Sequence, residues 1–289
     1  MTKNSGRVAR RKVYNVVFVA CCGVATIIAI GALVLILISL LQKGVPGLDA
    51  NLFLSDTKSS CGDDTSCVPG GLRNAFVGSA MMLAAAMLMS ISVGMLAGTW
   101  LSEYGGETRY GHLIRFLNDV LLSAPSILVG VAVWELLVKP FGGFSGWAGA
   151  VALAALAAPV VTRTTEDILA MQASSLREAG SALGTPKWQV VRKIVWRAAG
   201  GGLLTGALLA FARISGETAP LLFTALGNNF FSLDMNHPMA SVPAVIFNDA
   251  ENAFPDLVQI AWAGALVMSL VVLAVNVIGR ILAREPRRS

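Results

Sequence analysis

Charged side chains are scarce in this chain of 289 residues, where Asp, Glu, Lys and Arg together make up 13%, about half the share found in soluble domains. Common catalytic motifs are missing as well. The sequence has no G-x-x-x-x-G-K-S/T run that could hold the phosphates of ATP, and no H-E-x-x-H or G-x-S-x-G run. Its two histidines, His112 and His237, lie far apart. These absences argue against an enzyme, and we expect no metal or cofactor to be bound by this chain.

Apolar residues dominate what is present, since they make up 55% of the chain and the mean hydropathy is +0.68. Apolar stretches close to the roughly 20 residues that a helix needs to cross a bilayer occur at residues 13–41, 75–101, 113–138, 147–162, 198–223 and 257–282. The first is uncharged, too long for a signal peptide and without a clear cleavage site, so we expect a retained anchor. The sequence therefore predicts an all-α integral membrane protein with six transmembrane helices.

The distribution of basic residues predicts which segments face the cytoplasm. Most of the 22 Lys and Arg fall in cytoplasmic segments if both termini lie inside, as the positive-inside rule requires. The cytoplasmic N-terminus is then 1–12, the first transmembrane helix 13–41, an extracytoplasmic loop 42–72 and the cytoplasmic C-terminus 283–289. The pI of about 9.2 reports this topology and contact with anionic lipids rather than nucleic acid binding. Arg115 and Asp119, spaced i, i+4, predict an ion pair at the cytoplasmic edge.

The four cysteines fall into two pairs. Cys21 and Cys22 belong to the first apolar stretch and are expected to be packing residues. Cys61 and Cys67 share the predicted extracytoplasmic loop, where an oxidising compartment would allow a disulfide between them. Two free thiols are the alternative; the spacing is a poor match to a zinc site.

A polar segment, residues 177–197, separates the fourth and fifth apolar stretches. Gly184 suits the left-handed position that ends a helix, Thr185 suits the N-cap of the next helix, and Pro186 its first position. An apolar stripe is predicted along that second helix by Trp188, Val191 and Val195. The segment is therefore a helix–turn–helix, either an amphipathic connector at the membrane surface or an element that another protein binds.

The same segment resembles the cytoplasmic EAA loop of ABC importer permeases. The residues that match are Glu178, Ala179, Gly184 and Ile194. In that family the loop forms a coupling helix that docks into a groove of the ATP-hydrolysing subunit, and the resemblance implies this role here. The pattern departs at Gly180, where the family has Ala, and at Trp196-Arg197, where it has Leu-Pro.

Two charges of opposite sign lie deep in the fifth apolar stretch. Arg213 is about 22 Å along the helix from its start, at ~1.5 Å per residue, and Glu217 follows at i+4, on the same helical face. They form either a structural ion pair or a pathway site, in which the Arg213 guanidinium binds or gates an oxyanion and Glu217 holds it in place. Gly216 and Pro220 should loosen the helix there, as expected where backbone lines a cavity.

The run Gly-Glu-Thr-Ala-Pro at residues 216–220, within 212–222, closely resembles the signature of PstA-type permeases of phosphate importers. Similar segments lie at residues 100–104, 118–121, 124–127 and 163–166. We therefore assign 73–282 to an ABC transmembrane permease domain of five helices, with type I ABC importer architecture and a cytoplasmic coupling helix. Arg163 matches a second arginine that the family places in its spans; a snorkelling arginine at the interface is the alternative.

The resemblance also implies partners and a location. It implies a second, PstC-type permease, two PstB-type ATPase subunits that use ATP and Mg²⁺, a PstS-type extracytoplasmic phosphate-binding protein, and the bacterial cytoplasmic (inner) membrane with its lipids. The expected function is import of inorganic phosphate. The alternatives are a permease for another oxyanion, such as sulfate or molybdate, a passive channel, and a membrane enzyme.

Overall fold

A computed structural model describes residues 5–58, 60–61 and 70–283, and within these ranges the chain is helical and has no strand. The N-terminal helices are α1 (Ser5–Gly44), α2 (Ala50–Leu54), α3 (Arg73–Trp100), α4 (Arg109–Ser123), α5 (Ser126–Val133) and α6 (Gly146–Ala170). The C-terminal helices are α7 (Ser174–Ala182), α8 (Lys187–Val190), α9 (Trp196–Ala198), α10 (Gly200–Ser215), α11 (Ala219–Thr224), α12 (Val242–Asp249) and α13 (Pro255–Ala283). Single π-helical turns extend α3 over Leu101–Gly105, extend α5 over Trp134–Val138 and join α8 to α9 over Val191–Val195.

Four continuous helices in the described part are long and apolar enough to cross a membrane: Arg10–Gly47, Arg73–Gly105, Gly146–Ala170 and Pro255–Ile281. Two further candidates are bent pairs, Arg109–Ser123 with Ser126–Val138 at 105° and Lys187–Ala198 with Gly200–Ser215 at 75°. If each bent pair is one span, the total is six. The predicted all-helical membrane fold is confirmed, but two of its spans are not straight.

Both bends have a local cause. Pro125 follows Ala124, whose φ of −66° and ψ of 134° are the extended values that a residue before proline adopts, and α4 therefore ends there. The second bend lies at Ala199, next to the glycine run Gly200–Gly202, where helix propensity is low. The fourth predicted span, by contrast, continues to Ala170, so Arg163 lies within α6.

The centre of the bundle is the contact of α3 with α6, which small residues make close. A Cβ added to Gly94 would lie 2.7 Å from Val161 Cβ, and one added to Gly98 would lie 2.5 Å from the backbone oxygen of Thr162. Glycine thus allows the two backbones to approach, as is common between helices in lipid. Helix α1 lies outside this core, where it packs on α13 and is buried at Leu40 and Gly44.

Candidate functional site

The polar segment folds as the helix–turn–helix α7–α8, with its turn at Gly184. Gly184 has φ +72°, in the left-handed region that favours glycine. Its N–H donates to Ser181 O (2.9 Å), and the Thr185 N–H donates to Gly180 O (3.3 Å); these two bonds form a Schellman helix end. The predicted helix end is correct. The predicted N-cap is wrong, because Thr185 completes this turn and Pro186 becomes the N-cap, without a side-chain bond.

One face of the hairpin is open to solvent. Glu178 and Ala179 are exposed, and next to the turn Leu183 is 84% and Trp188 56% exposed. Of the predicted apolar stripe, Val191 and Val195 are therefore buried, whereas Trp188 is not. A mixed surface of a carboxylate, small residues and two large apolar side chains is suited to contact with another protein.

The opposite face of α7 packs on the second half of the hairpin. Gly180 is buried, and a Cβ there would lie 2.8 Å from Val190 Cγ2 and 3.1 Å from Ile194 Cδ1. Glycine at this position lets α7 approach these two side chains, which is a local reason for its departure from the alanine of the family pattern. Ile194 thus supports the hairpin from within, whereas Glu178, Ala179 and Gly184 reach its surface.

A buried ion pair that the sequence did not reveal fastens the hairpin to the bundle. The Glu103 carboxylate lies in the π-helical turn after α3, and its side chain is 3% exposed. Arg177 of α7 donates to it from Nη2 at 2.6 Å and from Nε at 2.9 Å. One feature of the sequence pointed to this pair: Glu103 is an acidic residue directly after a long apolar span, and no basic residue lies at helical spacing from it.

A second arginine is paired differently from the prediction. Arg115 of α4 binds Glu166 of α6 at 2.6 Å rather than Asp119, which is exposed. The predicted pair of Arg115 and Asp119 is therefore wrong, because α6 packs beside α4 and places the less exposed Glu166 carboxylate next to Arg115. Nearby, Arg163 and Asp167 form an exposed i, i+4 pair along α6 at 3.3 Å.

The segment around Arg213 contains a break in the helix. α10 ends at Ser215 and α11 begins at Ala219, so Arg213 and Glu217 do not share a continuous helical face. The predicted i, i+4 ion pair is wrong: no carboxylate in the described part of the chain forms an ion pair with Arg213. Arg213 is exposed and Glu217 is half-buried.

The helix after this break, α11, packs closely against α5 and α6. Pro220 is buried, and a Cβ added to Gly130 of α5 would lie 2.6 Å from its Cα. A Cβ on Gly149 of α6 would lie 3.2 Å from Leu221 Cδ2. Gly216 and Pro220 therefore flank the gap between α10 and α11, which is the non-helical segment 216–218, and Arg213 lies in the last turn of α10 just before it.

The predicted extracytoplasmic side carries its own anchors. Arg73, at the start of α3, binds both oxygens of Asp56 at 2.9 Å and lies over the Phe231 ring at 4.8 Å. The Arg73 guanidinium, through its hydrogen bond, holds the pKa of the Asp56 carboxyl below its ordinary value. This ion pair connects the loop after α2 to α3.

The outer loop also involves the cysteines. Cys61 is disulfide-bonded, and its N–H donates to Asp256 Oδ2 at 2.9 Å. Cys67 lies outside the described residues, so the Cys61–Cys67 bridge stays a prediction. Cys21 and Cys22 are free. Among the described residues no cluster of His, Cys, Asp and Glu is arranged to hold a metal ion.

Comparison with known proteins identifies relatives along most of the chain. A family model described as "Binding-protein-dependent transport system inner membrane component" matches residues 90–288. The phosphate transport system permease protein PstA of Haemophilus influenzae is 47% identical over 271 residues, which are 94% of each protein. The probable PstA of Methanocaldococcus jannaschii is 34% identical and covers 92% of each. A chain of the inward-facing MetNI methionine ABC transporter has a TM-score of 0.61 at 18% identity, over 74% of this chain and 94% of that one, which shows a shared fold.

Proposed function

This chain belongs to the family of binding-protein-dependent inner membrane transport components, and within it to the PstA permeases, and we propose that it moves inorganic phosphate into the cytoplasm. It would act as a non-catalytic permease subunit of an ATP-driven ABC importer. ATP and Mg²⁺ would be used by a separate ATPase, with no cofactor bound by this chain. Both termini would lie on the cytoplasmic side of the inner membrane.

The observation that carries the proposal is the unpaired guanidinium of Arg213 beside the gap between α10 and α11. A charge in a membrane span costs about 2.5–3.5 kcal/mol on insertion scales, and no described carboxylate in this chain pairs with it. An oxyanion offers the planar, bidentate acceptor that a guanidinium binds best. Glu217 lies in the same gap, four residues after Arg213, and we propose that it also belongs to the pathway.

Arg163 has a secondary place in this proposal. It lies within α6 on the predicted cytoplasmic side and is already paired with Asp167. Because that pair is exposed, an anion reaching the end of the pathway could exchange with the carboxylate at little cost. If Arg163 instead snorkels to the membrane interface, it takes no part in binding the anion.

The exposed face of the α7–α8 hairpin supports the second half of the proposal, which is docking to an ATPase. Glu178, Ala179 and Leu183 lie on this face beside the fixed turn at Gly184. The remaining partners would be a homologous PstC-type permease, which completes the pore, two PstB-type ATPase subunits and a PstS-type binding protein that delivers phosphate. Nucleic acid has no role in this arrangement.

Uptake of labelled phosphate by vesicles that contain this chain, its partner permease, the ATPase subunits and the binding protein tests the proposal. Uptake should require ATP, and Arg213→Gln should abolish it with the chain still inserted, whereas Arg213→Lys should restore part of it. Arg280→Gln, at another exposed arginine of a spanning helix, is the matched control and should leave uptake unchanged.

The same assay separates the alternatives. Sulfate or molybdate taken up in preference to phosphate would make the chain a permease for another oxyanion. Phosphate flux that continues without ATP would make it a channel, and chemical conversion of a substrate would make it an enzyme. Uptake by the Arg213→Gln variant at the wild-type rate would remove Arg213 from the pathway.

A further inference from the structure

The carboxylate of Glu103 joins more elements than an ordinary ion pair does. Arg177 of α7 holds it with three short N–O contacts of 2.6, 2.9 and 3.2 Å. The same guanidinium donates to Leu169 O at 2.7 Å and to Gln172 O at 2.8 Å, which are at the end of α6. One arginine thus fixes α7 to the ends of both α3 and α6.

The start of α8 reaches the same turn. Lys187 Nζ donates to the backbone oxygen of Glu103 and lies 4.5 Å from the centre of the Tyr104 ring. Both halves of the hairpin, one on each side of Gly184, therefore contact Glu103 or its neighbour. A rotation of the hairpin about its turn cannot leave the end of α3 in place without breaking these bonds.

The π-helical turn that contains Glu103 is also held by a second arginine. Arg115 of α4 donates to Leu101 O at 3.3 Å and to Gly106 O at 2.8 Å, while its Nε binds Glu166 of α6. The π-helical turn Leu101–Gly105 is therefore connected by charged hydrogen bonds to α4, α6 and α7. Such turns are rare and often occur at functional positions.

Stability alone does not require this arrangement. A buried ion pair is often no more stabilising than apolar side chains of the same size, whereas loss of one partner is strongly destabilising. Charged, bidentate hydrogen bonds fix the relative orientation of the elements that they join, because they form only within a narrow range of distance and angle. At Gly180, α7 packs on Val190 and Ile194, which belong to the hairpin itself.

We propose that Glu103 is a positioning residue that transmits movement of the coupling hairpin to α3, and through its close glycine contacts to α6. The proposal rests on the function proposed above, in which an ATPase moves the hairpin. Without Glu103 the hairpin would still dock and ATP would still be hydrolysed. The hairpin would then be held less firmly to α3, however, and less of its movement would reach that helix.

Glu103→Gln tests this role, because glutamine keeps the shape but removes the charge and places an amide N–H against the guanidinium. In the reconstituted importer, phosphate moved per ATP hydrolysed should fall by at least about tenfold, because loss of one partner of a buried charge pair is strongly disruptive. Binding of the ATPase should persist. Asp56→Asn is the matched control, since it removes a similar bidentate pair with Arg73 from the opposite end of α3, and the ratio should not change.

A distance measurement keeps this test independent of phosphate. Spin labels at Ser174 of α7 and Leu96 of α3, both exposed, report the spacing of the two helices with and without ATP. In the otherwise unaltered chain the two labels should move together and keep one spacing. In Glu103→Gln the spacing should change when ATP binds.

The outcomes decide the proposal in every case. A Glu103→Gln importer with the normal ratio and unchanged spacing would overturn it. If that variant does not assemble, Arg177→Lys leaves no unpaired buried charge but loses the planar fork; normal coupling by an assembled Arg177→Lys importer would then overturn the proposal. If the unaltered importer moves no phosphate, but ATP changes the label spacing only in Glu103→Gln, the proposed substrate is wrong and the positioning role of Glu103 is supported.

Discussion

Gly184 offers the sharpest test of the coupling hairpin, because the structure separates two reasons for a glycine there. Apart from its neighbours in sequence, no atom of the described residues would lie within 4 Å of a Cβ at Gly184, yet its φ is +72°. Crowding inside the chain therefore plays no part. Glycine is needed for the left-handed conformation that ends α7, in which L-residues are strained and asparagine is strained least.

The size of the effect follows from that conformation. A left-handed backbone costs an L-residue about 1–2 kcal/mol, and every 1.4 kcal/mol is about a tenfold change in affinity. If the free hairpin relaxes and only the docked one needs the turn, Gly184→Ala should weaken ATPase binding about tenfold. Gly184→Asn should lose less, because Asn tolerates this region, and Gly184→Val should lose most, because it is β-branched.

The measurement is the affinity of the reconstituted chain for its ATPase subunit across this series. The order Gly, Asn, Ala, Val identifies backbone conformation as the cause, since asparagine is larger than alanine. If asparagine weakens binding more than alanine does, side-chain volume at the interface is responsible and the reasoning from φ fails. The same three substitutions at Gly200, which has open space and no left-handed φ, should leave binding unchanged.

Three further predictions concern the rest of the chain. Arg213→Met should raise the thermal unfolding midpoint in detergent while it abolishes phosphate uptake, because it removes an uncompensated charge from a span; a lower midpoint would show that Arg213 stabilises the fold. Gly98→Ala should lower the midpoint by overpacking α3 against α6, at a cost of about 1–3 kcal/mol, whereas Gly31→Ala, in open space, should not lower it. Replacing Cys61 and Cys67 by Ser should speed proteolysis of the outer loop with little effect on transport, and free thiols at both positions by mass spectrometry would exclude the bridge.

Apolar length was enough to predict the spanning helices but not their direction. A run of about 20 apolar residues predicts a spanning helix, but its length does not indicate whether the helix bends. The sequence did contain the cause of one bend, since Pro125 constrains Ala124. The cause of the other, the glycine run after Ala199, is weaker, because glycine is common in straight membrane helices as well.

Charge pairing was harder to predict, since spacing along one helix reveals only local partners. Arg213 and Glu217 have the right spacing, but the helix ends between them. Arg115 instead finds Glu166, 51 residues away in sequence, because folding brings α4 and α6 together. No pattern within a single sequence identifies such a partner. The left-handed turn at Gly184, by contrast, depends on local backbone chemistry and was predictable.

The two proposals place charges of this chain at two different ends of one mechanism. On the predicted cytoplasmic side Glu103 is buried and paired with Arg177, and α3 lies in close contact with α6 at Gly98. The outer part of α6, at Gly149, touches α11 and so reaches the gap beside Arg213. A chain shaped by stability alone would place an apolar residue at Arg213, since an unpaired charge there costs free energy. An arginine beside a gap that α6 borders fits the proposed pathway, which would be controlled from the cytoplasmic hairpin.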